Sequence, residues 1–162
     1  MGFQVENVES KGSQSNESGQ ILTLTVQKEN LSLNYHRGTE TILVVDDEES
    51  LRAVVVDLLS QLGYHVLSAA NGKEALKLAG EYPGRIDLLL TDVVMDALPG
   101  PELAERLLQD RPEMKVIFIS GFADGSLAPN GVLKPGTVLV QKPFTIRVLS
   151  AKLREVLDRK AG

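Results

Sequence analysis

Charged and polar side chains follow the short apolar runs of this sequence. Asp46 and Asp47 come directly after ILVV, Asp92 closely follows LLL, Ser120 follows VIFI, and Lys142 comes soon after VLV. Carboxylates that lie together repel one another and attract a divalent cation, and an all-oxygen ligand set suits Mg²⁺. A carboxylate can also act as a nucleophile, while a lysine and a hydroxyl can bind phosphoryl oxygens. These residue types therefore indicate metal-assisted phosphoryl chemistry.

Each of these residues alone also has an ordinary structural explanation. The acidic run 46–49 could charge the first turn of a helix, Asp92 could cap a loop, and Lys142 could be a solvated lysine. Their joint occurrence after successive apolar runs favours a site. The sequence contains no G-x-x-x-x-G-K-[ST], G-x-G-x-x-G or H-E-x-x-H motif, which argues against a nucleotide-binding loop or a zinc protease.

The pattern between the apolar runs predicts the fold that would bring these residues together. Runs without alternation are typical of strands covered on both faces, and residues 65–69 are a fifth, weaker candidate. Helical periodicity lies between the runs, at 51–62, 72–79, 103–108 and 146–157. The segment 123–136 is rich in Pro and Gly, which predicts a weak, short or broken helix. Alternating strands and helices predict an α/β fold with a doubly wound parallel sheet, whose ligands bind beyond the carboxyl ends of the strands.

Composition narrows the class of protein. The chain has 162 residues, 43% of them hydrophobic, which is enough for one ordinary domain with a tail. A net charge of −5 argues against a nucleic-acid binder with a basic face. The absence of cysteine excludes disulfides and thiol chemistry. No apolar run is long enough to span a membrane and no secretory signal is visible, so we expect a cytoplasmic protein without direct membrane contact.

The chain changes character near residue 38. The polar, Ser- and Gly-rich composition before that point predicts a flexible N-terminal extension or linker over 1–38 and a folded domain over 39–160. Within the extension, ILTLTV at 21–26 is strand-like, and it must either pair with another strand or stay loose. It could be the end of an upstream domain.

Taken together, the motifs resemble the receiver domain of two-component response regulators. The resemblance covers about residues 40–158 and is carried by ILVVDDE (42–48), LLLTDVVM (88–95), Gly100, FISG (118–121) and QKPF (141–144). The amino-acid sequence of these stretches is most similar to that of receivers at the C-terminus of hybrid sensor histidine kinases. The resemblance implies a flavodoxin-like receiver fold, with five parallel strands in the order 2-1-3-4-5.

The resemblance also implies a role for each site residue. Asp92 would be the phospho-acceptor, and Asp46 and Asp47 would bind Mg²⁺ together with Asp92 and the backbone carbonyl of Val94. Ser120 would be the switch hydroxyl and Lys142 the phosphate-contacting lysine, followed by a cis peptide bond. A histidine kinase or phosphotransfer protein would supply the phosphoryl group. The chain would act on a downstream protein target as a signalling module and not as an enzyme, and a homodimer is left open. Because little sequence follows the last predicted helix, we expect no attached output domain, and either a receiver that works alone through protein contacts or a fragment of a hybrid kinase.

Two departures from the family pattern and two alternative functions accompany this interpretation. Asp96 stands where the family usually has a proline, and Leu139 replaces an aromatic residue in the fifth strand. One alternative is a pseudo-receiver, an interaction module that is never phosphorylated; the intact acidic, hydroxyl and lysine positions argue against it. The other is a small Mg²⁺-dependent phosphohydrolase of the haloacid dehalogenase group. Such enzymes usually carry D-x-D after the first strand, where this sequence has D-D-E.

Overall fold

The computed structural model describes residues 35–121 and 137–159. These ranges contain nine regular secondary-structure elements. Five are strands: β1 Thr41–Val45, β2 His65–Ala69, β3 Leu88–Asp92, β4 Lys115–Ser120 and β5 Val138–Gln141. Four are helices: α1 Glu49–Gln61, α2 Gly72–Glu81, α3 Gly100–Asp110 and α4 Ile146–Leu157. The predicted weak helix at 123–136 and the strand-like stretch at 21–26 lie outside the described residues.

The strands form one parallel sheet in the order β2-β1-β3-β4-β5, which confirms the predicted fold class. In its register, Val45 lies beside Thr91 and Ser120 beside Gln141. All strands therefore end at one side of the sheet, here called the carboxyl edge, and begin at the opposite side, the amino edge. Because the strands are parallel, the loops that follow them leave the sheet at the carboxyl edge.

Two apolar cores cover the two faces of the sheet. Strand β1 contributes to both, since Ile42 and Val44 belong to the core beneath α1 and α4 while Leu43 and Val45 belong to the core beneath α2 and α3. All five residues of β3 are buried. Burial on both faces explains why these runs lack alternation, because neither face of a central strand meets water.

The helix ends agree with the signals in the sequence. Thr145 is the N-cap of α4, and its side chain accepts a hydrogen bond from the amide of Val148 at 3.2 Å. Gly63 follows α1 with φ +98°, a left-handed conformation that glycine adopts without steric cost. These two residues determine where α4 begins and where α1 ends.

Two residues of the predicted N-terminal extension contact the domain. Tyr35 packs against the core beneath α1 and α4, and the amide of Gly38 donates to the carbonyl of Leu62 at 3.3 Å. The described part of the chain thus includes contacts that begin before residue 39.

Candidate functional site

Three carboxylates meet at the carboxyl edge. Asp46 and Asp47 leave the end of β1, and Asp92 ends the neighbouring strand β3. One carboxylate oxygen from each of the three lies within 4.8 Å of the others. Asp46 and Asp92 are only 3% and 9% exposed, whereas Asp47 faces solvent. The predicted acidic residues are thus brought together with one side open.

Lys142 reaches these carboxylates from the loop after β5. Its Nζ lies 2.7 Å from Oδ2 of Asp92 and 3.4 Å from Oδ2 of Asp46. The amide of Lys142 donates to the carbonyl of Ser120 at 2.8 Å, and the Lys142–Pro143 peptide bond is cis. The register of β4 and β5 therefore carries the ammonium group to the acids, as the sequence pattern predicts.

Backbone amides hold the other oxygen of the two buried carboxylates. Glu48 donates to Oδ1 of Asp46 at 2.8 Å, and Val94 donates to Oδ1 of Asp92 at 3.0 Å. Each buried carboxylate is therefore oriented by one amide and one ammonium group. Within 35–121 and 137–159, the carboxylate of Asp47 accepts no such bond.

Burial and close charges shift the pKa values at the site. Burial raises the pKa of Asp46, although the charge of Lys142 and the amide of Glu48 oppose the shift. Burial opposes the charged form of Lys142, but its hydrogen bond to Asp92 and the charges of Asp46 and Asp92 outweigh this and raise its pKa. Lys142 therefore stays protonated, and three carboxylates against one ammonium leave an excess of negative charge that a divalent cation would neutralise.

Gly100 lets α3 begin close to the end of β3. Its amide donates to the carbonyl of Val93 at 3.0 Å, and a side-chain Cβ at this position would overlap the backbone oxygen of Asp92. Just before it, Ala97 has φ 66°, a conformation that is uncommon for a residue with a side chain. The loop from β3 to α3 is therefore tightly folded against the end of β3.

The remaining predicted site residues and the two departures from the family pattern differ in their surroundings. They are Ser120, Val94, Asp96 and Leu139. Ser120 is buried at the end of β4, on the strand between those that carry Asp92 and Lys142. The side chain of Val94 is exposed beside Asp92, and Asp96 is exposed in the same loop. Leu139 is partly buried against the core beneath α2 and α3, so this departure from the family pattern serves packing.

Arg52 is a site neighbour that the sequence pattern did not reveal. Its Nη1 donates to the backbone carbonyl of Asp46 at 2.7 Å from the first turns of α1. The available signal was weak: an arginine that follows an acidic run by one helical turn. Helical periodicity alone does not tell whether such a side chain turns toward the sheet edge or toward water.

Similarity to known proteins identifies the family of this chain. Residues 42–154 match the model of the response regulator receiver domain, and the chain belongs to this family. It is 36% identical over 123 residues to the sensor kinase CckA of Brucella abortus and 36% identical over 116 residues to the response regulator receiver protein CpdR of the same organism. Receiver domains of this family are the signalling modules of two-component systems.

The relatives differ in how much of their length the chain spans. The match covers 76% of this chain but 13% of CckA, whereas it covers 72% of this chain and 95% of CpdR. Among solved structures, the response regulator TrrA of Thermotoga maritima in complex with Mg²⁺ and BeF superposes with a TM-score of 0.60 at 28% identity, covering 72% of this chain and 98% of TrrA. Within the described residues, no helix is long and apolar enough to cross a membrane.

Proposed function

We propose that this receiver accepts a phosphoryl group on Asp92 from a phosphohistidine of a histidine kinase or phosphotransfer protein. One observation carries the proposal. Asp92 is the carboxylate whose Oδ2 meets Lys142 at 2.7 Å, next to two further acids. A cation beside the nucleophile can stabilise the negative charge of the incoming phosphoryl group, and Lys142 supplies that cation.

The transfer is a direct displacement at phosphorus. An oxygen of Asp92 forms the new bond to phosphorus while the bond from phosphorus to the donor imidazole nitrogen breaks, and the electron pair of that bond stays with the nitrogen. Lys142 then moves its hydrogen bond from the carboxylate to an oxygen of the phosphoryl group. The amide of Val94 holds Oδ1 of Asp92, which leaves Oδ2 as the attacking atom.

The residues present fit a bound Mg²⁺. Asp46, Asp47 and Asp92 offer oxygen ligands close together, and we propose the backbone carbonyl of Val94 as a further ligand. Mg²⁺, when bound, would neutralise charge on the phosphoryl oxygens. Its hard-cation preference for oxygen ligands matches a set that contains no sulfur or imidazole.

After transfer, we propose that Ser120 hydrogen-bonds the phosphoryl group and that the change is read by a downstream protein target. Ser120 is buried at the end of β4, the strand between β3, which carries Asp92, and β5, which precedes Lys142. We propose the cytoplasm as the location, because receiver domains are soluble signalling modules. The chain would act through these contacts and not as a turnover enzyme.

Incubation with acetyl phosphate and Mg²⁺, read by intact mass, tests the proposal. A receiver gains one phosphoryl group, which is lost again slowly. A pseudo-receiver gains none, and a phosphohydrolase releases phosphate over many turnovers without a lasting adduct. Ser120→Ala should still gain the group but show smaller amide NMR changes on binding Mg²⁺ and BeF, since it lacks the hydroxyl. A protein that never gains a phosphoryl group would contradict the proposal.

A further inference from the structure

The three acids of the site are held in different ways. Asp46 and Asp92 are each fixed by a backbone amide and by Lys142. The carboxylate of Asp47 is exposed and accepts no hydrogen bond from the described part of the chain. Where Asp47 points therefore depends on the backbone that carries it.

Arg52 contacts that backbone. Its Nη1 donates at 2.7 Å to the carbonyl oxygen of Asp46, and this carbonyl shares one planar peptide group with the amide nitrogen of Asp47. A peptide group that is held at its oxygen is also fixed in the direction in which it delivers the next Cα. Arg52 is itself half-buried and anchored in α1, where its amide donates to the carbonyl of Glu48 at 2.9 Å.

We propose that Arg52 is a positioning residue for the metal site: it holds the Asp46–Asp47 peptide so that the carboxylate of Asp47 faces those of Asp46 and Asp92. The inference rests on the proposed function, because it concerns Mg²⁺ at the same site. In this arrangement a basic residue strengthens the binding of a cation, although its own charge repels that cation.

Position and charge predict opposite signs for the loss of Arg52. A positive charge near three carboxylates repels Mg²⁺, so charge alone predicts that removing it tightens Mg²⁺ binding. If Arg52 orients a ligand, its removal weakens Mg²⁺ binding, and partners behind a metal ligand typically contribute 10- to 100-fold in affinity. Because Arg52 acts through the main chain and not on the carboxylate itself, we expect the low end, about tenfold.

The test is the dissociation constant of Mg²⁺, measured by titration calorimetry on the full chain. Arg52→Met should weaken Mg²⁺ binding about tenfold, and Arg52→Lys, which can still donate one hydrogen bond, should recover part of this loss. Arg147→Met is the matched control. Arg147 is exposed in the first turn of α4 and its side chain makes no ion pair within the described residues, so this variant removes a charge without removing a positioning bond. Its Mg²⁺ affinity should be unchanged or higher.

Unfolding without Mg²⁺ separates positioning from stability. If Arg52→Met merely destabilised the fold, its melting temperature would fall while the Mg²⁺ affinity of the folded protein stayed at the wild-type value, and the inference would be overturned. Tighter Mg²⁺ binding would overturn it as well. Should Arg52→Met fail to fold, Arg52→Gln is measured with the same expectation. A wild-type protein that binds no Mg²⁺ would contradict the proposed function itself, which is a different result from a variant that matches the wild type.

Discussion

The two edges of the sheet arrange charge in opposite ways. At the amino edge two acids share one cation: Glu40 lies 2.7 Å from Arg154, and Arg154 also bonds Asp158 at 2.5 Å. Lys115, at the start of β4, donates to the carbonyl of Leu157 at 2.8 Å and so satisfies the end of α4. Ion pairs of this kind contribute modestly to stability, and bonds to the last carbonyls of a helix help to hold its end.

The carboxyl edge instead gathers three carboxylates around one ammonium group, that of Lys142. Like charges at this distance destabilise the fold unless a cation binds. The two edges of one sheet thus have different roles: the amino edge holds the last helix in place, and the carboxyl edge keeps an excess of negative charge that a cation can bind. Variants at the two edges should therefore respond to different conditions.

The largest difference is expected with Mg²⁺. At a Mg²⁺ concentration of 100 times the dissociation constant, the free energy of unfolding should rise by about 2.7 kcal/mol, because Mg²⁺ binds the native state. Asp47→Ala should lose most of this increase and be no less stable than wild type without metal, since a repelling charge is gone. Glu40→Gln at the amino edge should keep it in full. Urea unfolding with and without Mg²⁺ measures this increase in both variants. If Asp47→Ala showed the same increase as the wild type, Mg²⁺ would not bind at the carboxyl edge in the proposed way.

A second pair of variants tests how tightly the carboxyl edge is packed. Gly100→Ala should cost about 1–3 kcal/mol of unfolding free energy, because its new Cβ overlaps the backbone oxygen of Asp92. Gly80→Ala is the matched control, since Gly80 is exposed within α2 and a Cβ there meets no atom within 4 Å. It should stabilise the protein by about 0.5–1 kcal/mol. Equal effects of the two substitutions would refute the close approach at Gly100.

The amino edge should respond to pH. Burial opposes the charged form of Glu40, but the hydrogen bond from Arg154, the backbone amides of Glu40 and Thr39 and the charge of Arg154 together outweigh it and lower the pKa of Glu40. A group with a lowered folded-state pKa stabilises above its unfolded pKa, and this stabilisation is lost as the pH falls through the folded value. Glu40→Gln should therefore lower the free energy of unfolding by up to about 1 kcal/mol near neutral pH and change it little in acid. A difference from wild type that stays constant between about pH 7 and pH 3 would contradict this ion pair.

The smallest effect concerns where the folded unit begins. We propose that it begins at Tyr35, because Tyr35 packs on the core and Gly38 bonds Leu62. A chain that starts at Thr39 should fold cooperatively but be less stable than one that starts at Tyr35, by a few tenths to about 1 kcal/mol for a half-buried side chain. Equal stability of the two would instead support the predicted boundary at residue 39.

Much of the fold could be predicted because the central strands leave a clear signal. Burial on both faces makes β1, β3 and β4 read as unbroken apolar runs, and the residues that follow such runs must share one edge of a parallel sheet. That rule alone brings Asp46, Asp92 and Lys142 together. The helix ends at Thr145 and Gly63 could also be predicted from the sequence, because capping depends on interactions within a few residues.

The contacts that escaped prediction depend on the rotation of helices and on long side chains. Glu40 and Arg154 are 114 residues apart, and their meeting depends on how α4 lies on the sheet. The bond from Arg52 to Asp46 depends on the rotamer of one arginine. A sequence pattern fixes which face of a helix is buried, but it does not specify which atom the end of a flexible side chain reaches.

The central claim is that Asp92 carries the phosphoryl group, and one measurement tests it most directly. The protein is treated with acetyl phosphate and Mg²⁺, then reduced with borohydride, which converts an aspartyl phosphate to homoserine, and its peptides are sequenced by mass spectrometry. We expect homoserine at position 92 alone, and none in Asp92→Asn, while Asp96→Asn, which alters an exposed acid in the same loop, should react like the wild type. Homoserine at Asp46, Asp47 or Asp96 in place of Asp92 would contradict the account.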